Sequence, residues 1–173
     1  MKLIYSEKLP RILKNKKQLE KKLNVKITNN GNDVFINGEA PDEYDAEQVI
    51  IALNLGFPFS VAISIKEEEL MLEVLNIKAH TKRHDFNRIR ARIIGKNGKT
   101  IKTVSQLTDC FLELKNNEVG IIGSPENIKI AHAAIISLIK GTKQNNVYSY
   151  LEKHQPEEIF DYGIKKIKKK WMT

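Results

Sequence analysis

Two glycines three positions apart, Gly95 and Gly98, enclose the polar dipeptide Lys96-Asn97. Glycine has no Cβ, so another backbone can approach it closely, and it adopts unusual φ and ψ angles at little cost. Lys96 and Lys99 place positive charge where a phosphate would pass this loop. These residues are suited to holding a polyanionic backbone rather than to making or breaking covalent bonds.

A G-x-x-G tetrapeptide is common in ordinary turns, so the elements around it carry the argument. The pattern predicts, in order, a strand over Leu70–Ile77, a helix ending at Ile93-Ile94, a helix over Lys99–Thr108, a strand over Cys110–Leu114, a turn at Asn116-Asn117 and a strand over Val119–Ile122. Ser124 then provides an N-cap, Pro125 occupies the first helical position, and the last helix ends at Gly141. The order strand–helix–loop–helix–strand–strand–helix is that of a type I KH module, in which such a loop clamps about four nucleotides.

The first part of the chain repeats much of this order. It predicts strands over Lys2–Tyr5, Val25–Ile27 and Val34–Ile36, a turn over Asn29–Asn32, a helix over Lys8–Leu23, and a helix that opens within Gly38–Glu43 and ends at Gly56. A further short helix over Ser60–Ile65 would pack between the two halves. The parallel indicates an internal duplication. We therefore predict an α+β fold with two tandem type I KH domains, each a three-stranded sheet with helices packed on one face.

The first copy differs from the second at the loop. Where the second copy has glycines, the first has Lys14-Asn15-Lys16-Lys17, so we expect no close backbone clamp there. Its lysines either hold phosphates as point charges or form a solvated helix face, and the sequence leaves both open. The predicted division is residues 1–66, a degenerate KH domain lacking the glycine loop; residues 67–154, a KH domain that has it; and residues 155–173, a basic tail.

Charge is distributed unevenly along the chain, whose net charge is +8. Asp33 to Glu73 holds ten acids and one base, whereas Lys78 to Lys102 holds nine bases and one acid. A basic cluster centred on the glycine loop is expected of a phosphate-binding face. In the tail, five lysines between Ile164 and Trp171 would add nonspecific attraction to a polyanion, or else belong to a short helix that docks on the protein or on RNA.

These patterns predict a single-stranded RNA site with three groups of residues. The backbone clamp would consist of Gly95, Lys96, Asn97 and Gly98. An apolar groove on which bases rest would be walled by Ile93, Ile94, Ile101 and Leu112. Phosphates would be steered by Arg90, Arg92, Lys99 and Lys102.

The sequence gives little support for a disulfide framework, a metal site or a membrane helix. The single cysteine, Cys110, excludes an internal disulfide framework and suits a strand in the core. His80 and His84 have the spacing of a zinc-binding pair, but two cations and no glutamate lie between them. No apolar run approaches the roughly 20 residues of a membrane helix, and the first residues lack a signal-peptide pattern. We expect a cytoplasmic binding protein that is not an enzyme and needs no metal or cofactor.

Three segments together resemble a known family: Arg88–Thr100, Ile121–Glu126, and Gly141 with the tyrosine-bearing stretch Val147–Glu152. They are similar to archaeal two-KH-domain ribosome-assembly proteins related to the eukaryotic "partner of Nob" family. The resemblance implies binding of precursor small-subunit rRNA near its 3′ end, alongside the Nob endonuclease, and contact with the alpha subunit of archaeal initiation factor two. Archaeal relatives commonly keep glycines in the first loop, which this chain lacks.

The degenerate first loop leaves a second hypothesis open. The chain would then be a protein-interaction scaffold in ribosome assembly or translation, with the first module binding partner proteins and RNA binding only incidental. The two hypotheses differ in the salt dependence of RNA affinity, which is steep where phosphate contacts dominate and flat where they do not.

Overall fold

The computed structural model describes residues 1–155, and residues 156–173, most of the predicted tail, lie outside the described part. The elements are β1 (Lys2–Tyr5), α1 (Leu9–Leu23), β2 (Lys26–Asn30), β3 (Asp33–Asn37), α2 (Ala40–Leu55), α3 (Phe59–Glu67), β4 (Met71–Asn76), α4 (Phe86–Ile94), α5 (Lys99–Thr108), β5 (Phe111–Lys115), β6 (Glu118–Gly123), α6 (Pro125–Lys140) and α7 (Gln144–Lys153). The fold is α+β, as the sequence predicts. Within residues 1–155, no helix has the length and apolarity that crossing a bilayer takes.

The first half of the chain forms an antiparallel sheet of order β1-β3-β2. Side chains alternate across this sheet, so Ile27, Val34 and Ile36 point into a core that α1, α2 and α3 complete. The opposite face carries Leu3 and Tyr5, which are 58% and 62% exposed. Helices therefore cover only one face of the first sheet, as expected.

The second half forms an antiparallel sheet of order β4-β6-β5, the same order of first, third and second strand. Its inner face packs against α4, α5, α6 and α7, and Ile89, Val104, Ile121 and Ile135 lie in that core. The two sheets thus have the same strand order. The similarity between the two halves of the sequence is therefore also present in the folded structure.

The second sheet departs from the expectation of helices on one face only, because the first half of the chain covers its other face. Helix α2 lies beside β5 and β6, and Ile122 is buried in the core of the first half. A Cβ added to Gly120 would lie 2.7 Å from a ring carbon of Phe57 and 2.9 Å from a methyl of Leu55. Glycine is thus required where the helical layer meets this sheet.

Polar contacts border this interface. Lys115 on β5 forms an ion pair of 2.7 Å with Glu7, and an Arg11 guanidinium nitrogen donates to the Gly56 carbonyl at 2.7 Å. Burial raises the pKa of Glu113 on the same strand, although the nearby Lys8 and Arg11 act in the opposite direction. The two halves are therefore joined by an apolar contact with charged residues at its edge.

Most predicted boundaries, including both ends of α3, lie within one or two residues of the observed ones, and the end of β2 and the start of α7 differ by three. Strand β2 continues to Asn30, which pairs with Asp33, so the turn is only Gly31-Asn32 and not Asn29–Asn32. Gly31 has a φ of 57°, which permits this tight connection. Helix α3 extends beyond Ser60–Ile65 at both ends. Helix α7 begins three residues before the predicted Val147.

The contact between Phe57 and Gly120 can be tested with a double-mutant cycle. Phe57→Ala should lower the free energy of unfolding by about 3–5 kcal/mol, because it leaves a cavity. Gly120→Ala should lower it by about 1–3 kcal/mol through overpacking. In the Phe57→Ala background the added methyl has room, so its effect should be much smaller. Urea denaturation of the four proteins measures this, and additive effects would contradict the packing described.

Candidate nucleic-acid interface

The glycine loop connects α4 to α5, and Gly95 determines its shape. Gly95 has a φ of 75° and a ψ of 173°, a combination that is essentially restricted to glycine. A Cβ at this position would lie 2.7 Å from the backbone nitrogen of Thr100 and would overlap the Thr100 side chain. The loop therefore folds back against the first turn of α5, with no room for any larger residue at position 95.

The tip of the loop points away from the protein. Lys96–Gly98 forms a single 3₁₀ turn in which Asn97 and Gly98 have positive φ angles of 54° and 74°. Lys96 and Asn97 are exposed, and a Cβ added to Gly98 would have no atom within 4 Å. The backbone on this side of the loop is thus open to an approaching ligand backbone.

Two residues that the sequence analysis did not identify, Thr100 and Gln144, support the loop on the side that faces the protein. Thr100 is 2% exposed. The side-chain amide nitrogen of Gln144, at the start of α7, donates to the Thr100 Oγ1 at 2.8 Å and to the Arg92 carbonyl at 3.2 Å. Gln144 thereby joins the last turn of α4 to the first turn of α5. Nothing in the spacing of residues 44 positions apart could indicate this contact.

Two of the four basic residues predicted to steer phosphates, Lys99 and Lys102, lie beside the loop with exposed side chains. Lys99 and Lys102 lie three residues apart on α5, so they share a face of that helix. Arg90 on α4 is half-buried and donates to the Asn116 carbonyl at 3.2 Å and to the Asn87 side chain. Arg90 thus lies at the β5–β6 turn, at some distance along α4 from the loop.

Arg92 has a different environment from the one predicted. Its guanidinium donates to the Leu138 carbonyl at 3.4 Å and to the Thr142 carbonyl at 2.6 Å. These contacts satisfy backbone acceptors where α6 ends at Gly141, so Arg92 connects α4 to the end of α6. The role of Arg92 in steering phosphates stays a prediction, and two of its five N–H donors are used within the protein.

The predicted apolar wall is only partly accessible. Ile94 is 39% exposed, and Ile101 and Leu112 are half-buried on α5 and β5, which pack beside each other. Ile93, in contrast, is 0% exposed and belongs to the core of the second half. Ile93 was wrongly placed in the groove, because successive helical residues point about 100° apart.

Strand β5 forms an edge of the second sheet. It pairs with β6 on one side, and no strand of residues 1–155 pairs with its other side. All five of its residues are partly exposed. An edge strand presents unpaired backbone donors and acceptors. The open edge of β5, the exposed Ile94 and the half-buried Ile101 thus bound a surface beside the glycine loop.

The histidines do not gather at one site. His80 and His132 meet edge to face with ring centroids 6.0 Å apart, and the His132 Nδ1 lies within hydrogen-bonding distance of the Glu73 carboxyl. His84 packs against Phe86 instead. Among residues 1–155 no group of three or more His, Cys, Asp or Glu side chains is arranged to hold a metal ion. Cys110 is buried in the core, as predicted.

Comparison with known proteins places this geometry in a class. Residues 71–156 match the second-KH-domain model of the PNO1 type, described as a eukaryotic type, type I KH domain. A KH domain-containing protein of Methanocaldococcus jannaschii is 29% identical over 81% of this chain and 65% of its own length. The pre-rRNA-processing protein pno1 of Aspergillus oryzae is 30% identical over 62% of this chain and 43% of its own. The chain spans less than two thirds of the length of these relatives.

A solved structure matches over a larger share of both chains. The aDim2p chain in a crystal structure of an a/eIF2alpha–aDim2p–rRNA complex from Pyrococcus horikoshii superposes with a TM-score of 0.80. It is 27% identical, and the match covers 89% of this chain and 93% of that chain. The second half of the chain is therefore a type I KH domain. This similarity to PNO1-type proteins confirms the resemblance drawn from the loop.

The role of Gln144 leads to a prediction about the loop. Gln144→Ala removes the donor to the buried Thr100 hydroxyl and to the partly buried Arg92 carbonyl, and should lower the free energy of unfolding by about 1–3 kcal/mol. The Gly98 amide, which donates to the Gly95 carbonyl at 3.2 Å, should exchange with solvent faster. Hydrogen exchange followed by NMR measures both. Asn145→Ala, an exposed neighbour on the same helix, is the control, and unchanged exchange at Gly98 in Gln144→Ala would contradict this role.

Proposed function

We propose that this protein binds single-stranded RNA through the second KH domain. The observation that carries the proposal is the glycine loop itself, with Gly95 packed on Thr100 and the exposed tip at Lys96 and Asn97. This arrangement gives a sugar-phosphate backbone close access to the chain at Gly98. The role we propose is binding rather than catalysis.

Each accessible site residue has a place in this proposal. Gly95, Lys96, Asn97 and Gly98 clamp the backbone. Bases rest on Ile94, Ile101 and Leu112, beside the open edge of β5. Lys99 and Lys102 attract phosphates entering the loop, and Arg90 lies near Asn116, where the surface ends. Phosphate contacts position the strand, whereas contacts with the bases select the sequence.

We further propose that the RNA is precursor small-subunit rRNA, bound near its 3′ end during ribosome assembly. Support comes from the relative named as a pre-rRNA-processing protein and from the solved complex, which contains rRNA. Proximity to the 3′ end and action alongside the Nob endonuclease are implied by the family resemblance. An interaction with the alpha subunit of the initiation factor is supported by the presence of a/eIF2alpha in that complex.

Residues 1–66 are, in this proposal, a degenerate KH domain. Their sheet has the same strand order as the second sheet. Between the first two strands lies the single helix α1, where the second half has α4, the glycine loop and α5. The clamp therefore belongs to residues 67–154 alone, and residues 155–173 form the basic tail.

A protein-interaction scaffold remains the second candidate function. The observation that favours it is the a/eIF2alpha component of the solved complex, together with the missing clamp in the first half. Measuring RNA affinity against salt concentration separates the candidates. A log–log slope of several negative units supports phosphate binding, whereas a slope near zero favours a protein partner.

The clamp can be tested by reversing its charge. Lys96→Asp with Asn97→Asp should lower the affinity for single-stranded RNA by at least about tenfold, because two carboxylates would face phosphates, a difference of about 1.4 kcal/mol. Fluorescence anisotropy with labelled RNA measures the affinity, and thermal unfolding should be unchanged because both residues are exposed.

A matched control makes the same change in charge elsewhere. Lys26→Asp with Asn30→Asp alters two exposed residues of β2, and this protein should bind RNA nearly as well as the wild type. Wild-type affinity in the loop variant, or equal losses in both double variants, would show that the glycine loop is not the RNA site.

A further inference from the structure

The exposed side of α1 is a basic surface that the proposed clamp does not use. Lys14, Lys17 and Lys21 recur at helical spacing on the side opposite the buried Ile12 and Leu19. Lys21 lies seven positions after Lys14, a distance of about 10 Å along the helix axis. Together with Arg11 at the first turn they form what we call the α1 lysine face.

These lysines are not neutralised by acidic neighbours. The one acid on α1, Glu20, accepts a hydrogen bond from the Ile27 backbone at 2.8 Å on the side towards β2. Lys22, on the flank of the helix, pairs with Glu67. Within residues 1–155, Lys14, Lys17 and Lys21 have no such ion pair. Lys16 is half-buried on another side of the helix, so it is not part of this face.

A series of contacts connects the α1 lysine face to the groove of the second domain. Arg90 on α4 donates to the Asn116 carbonyl at the β5–β6 turn, at 3.2 Å. Lys115, the residue before that turn, pairs at 2.7 Å with Glu7, which lies just before α1. The first turn of α1 therefore lies where β5 and the groove end.

Two exposed acids, Glu7 and Glu118, lie at this junction, and Glu7 is already paired with Lys115. The Lys115 ammonium donates a hydrogen bond to Glu7 and lowers the pKa of that carboxyl, so its charge is largely balanced there. A phosphate backbone leaving the groove past Asn116 would next meet Arg11 and Lys14. Lysine ammonium groups bind phosphates as flexible point charges, without a preference for particular bases.

We propose that the α1 lysine face is a second backbone-binding surface for single-stranded RNA that extends beyond the groove at its Asn116 end. This inference rests on the proposed RNA-binding function of the second domain. It gives the degenerate first domain a role in holding RNA without a glycine clamp, and it makes affinity depend on RNA length as well as on sequence.

The test compares RNAs of two lengths. A labelled pentanucleotide, chosen as the tightest binder in a random pentamer screen, occupies the groove alone. The same pentamer extended by about ten uridines at either its 5′ or its 3′ end can also reach α1. Wild-type protein should bind one of the two extended RNAs at least about tenfold more tightly than the pentamer.

The variant Lys14→Gln with Lys17→Gln and Lys21→Gln should lose this gain and bind the pentamer as the wild type does. With the extended RNA its log–log salt slope should be shallower by about 2, since three contacts to a single strand contribute about 0.7 each. A control triple, Lys26→Gln with Lys129→Gln and Lys153→Gln, removes the same charge from exposed positions elsewhere and should keep the gain.

Several outcomes would overturn the proposal: a triple variant that retains the gain with length, a loss that is equal for pentamer and extended RNA, or an equal loss in the control. If the triple variant loses binding to phosphatidylserine vesicles while its RNA binding is unchanged, the α1 lysine face binds a membrane instead. Failure of the clamp proposal is distinguishable, because it appears as wild-type pentamer binding in the variant with Lys96→Asp and Asn97→Asp.

Discussion

The close contact between Gly95 and Thr100 is the constraint on which the proposed RNA-binding surface depends. Because position 95 has no Cβ, α4 can end and α5 can begin with their backbones almost touching. The exposed tip at Lys96 and Asn97 exists only as a consequence of that contact. Gln144 stabilises it from the opposite side, so the loop is shaped by packing before any ligand arrives. A preformed loop loses less conformational entropy on binding than a mobile one.

The basic residues predicted to form the site divide into two groups by their surroundings. Arg92 satisfies carbonyl oxygens at the end of α6, and Arg90 reaches the β5–β6 turn. Lys96, Lys99 and Lys102 are exposed around the loop. Arginine suits the first task because its planar guanidinium presents several donors in a fixed geometry. Lysine suits the second, because its ammonium keeps its water and adapts to passing phosphates.

The two halves of the chain share a topology but differ in what covers their sheets. The second sheet is enclosed, because α2 of the first half packs where Gly120 leaves room for Phe57. The first sheet keeps an exposed face. This packing brings the beginning of α1 to the end of β5 through Lys115 and Glu7. The first half of the chain therefore lies beside the proposed groove, whether it holds RNA, a protein partner or both.

Much of the local structure could be predicted from the sequence alone. Residues close together in the chain indicated four features: the bounds of α5, the N-cap at Ser124, the left-handed helix ends at Gly56 and Gly141, and the loop glycines. The backbone angles at these positions depend on the residues' own side chains. The tertiary structure alone decided that Ile93 is buried, that Arg92 holds the end of α6 and that the second sheet is covered on both faces. Those outcomes depend on contacts between residues about 45 to 65 positions apart. Such contacts leave no periodic trace in the sequence, because the partners lie on different elements and local spacing does not specify how those elements pack.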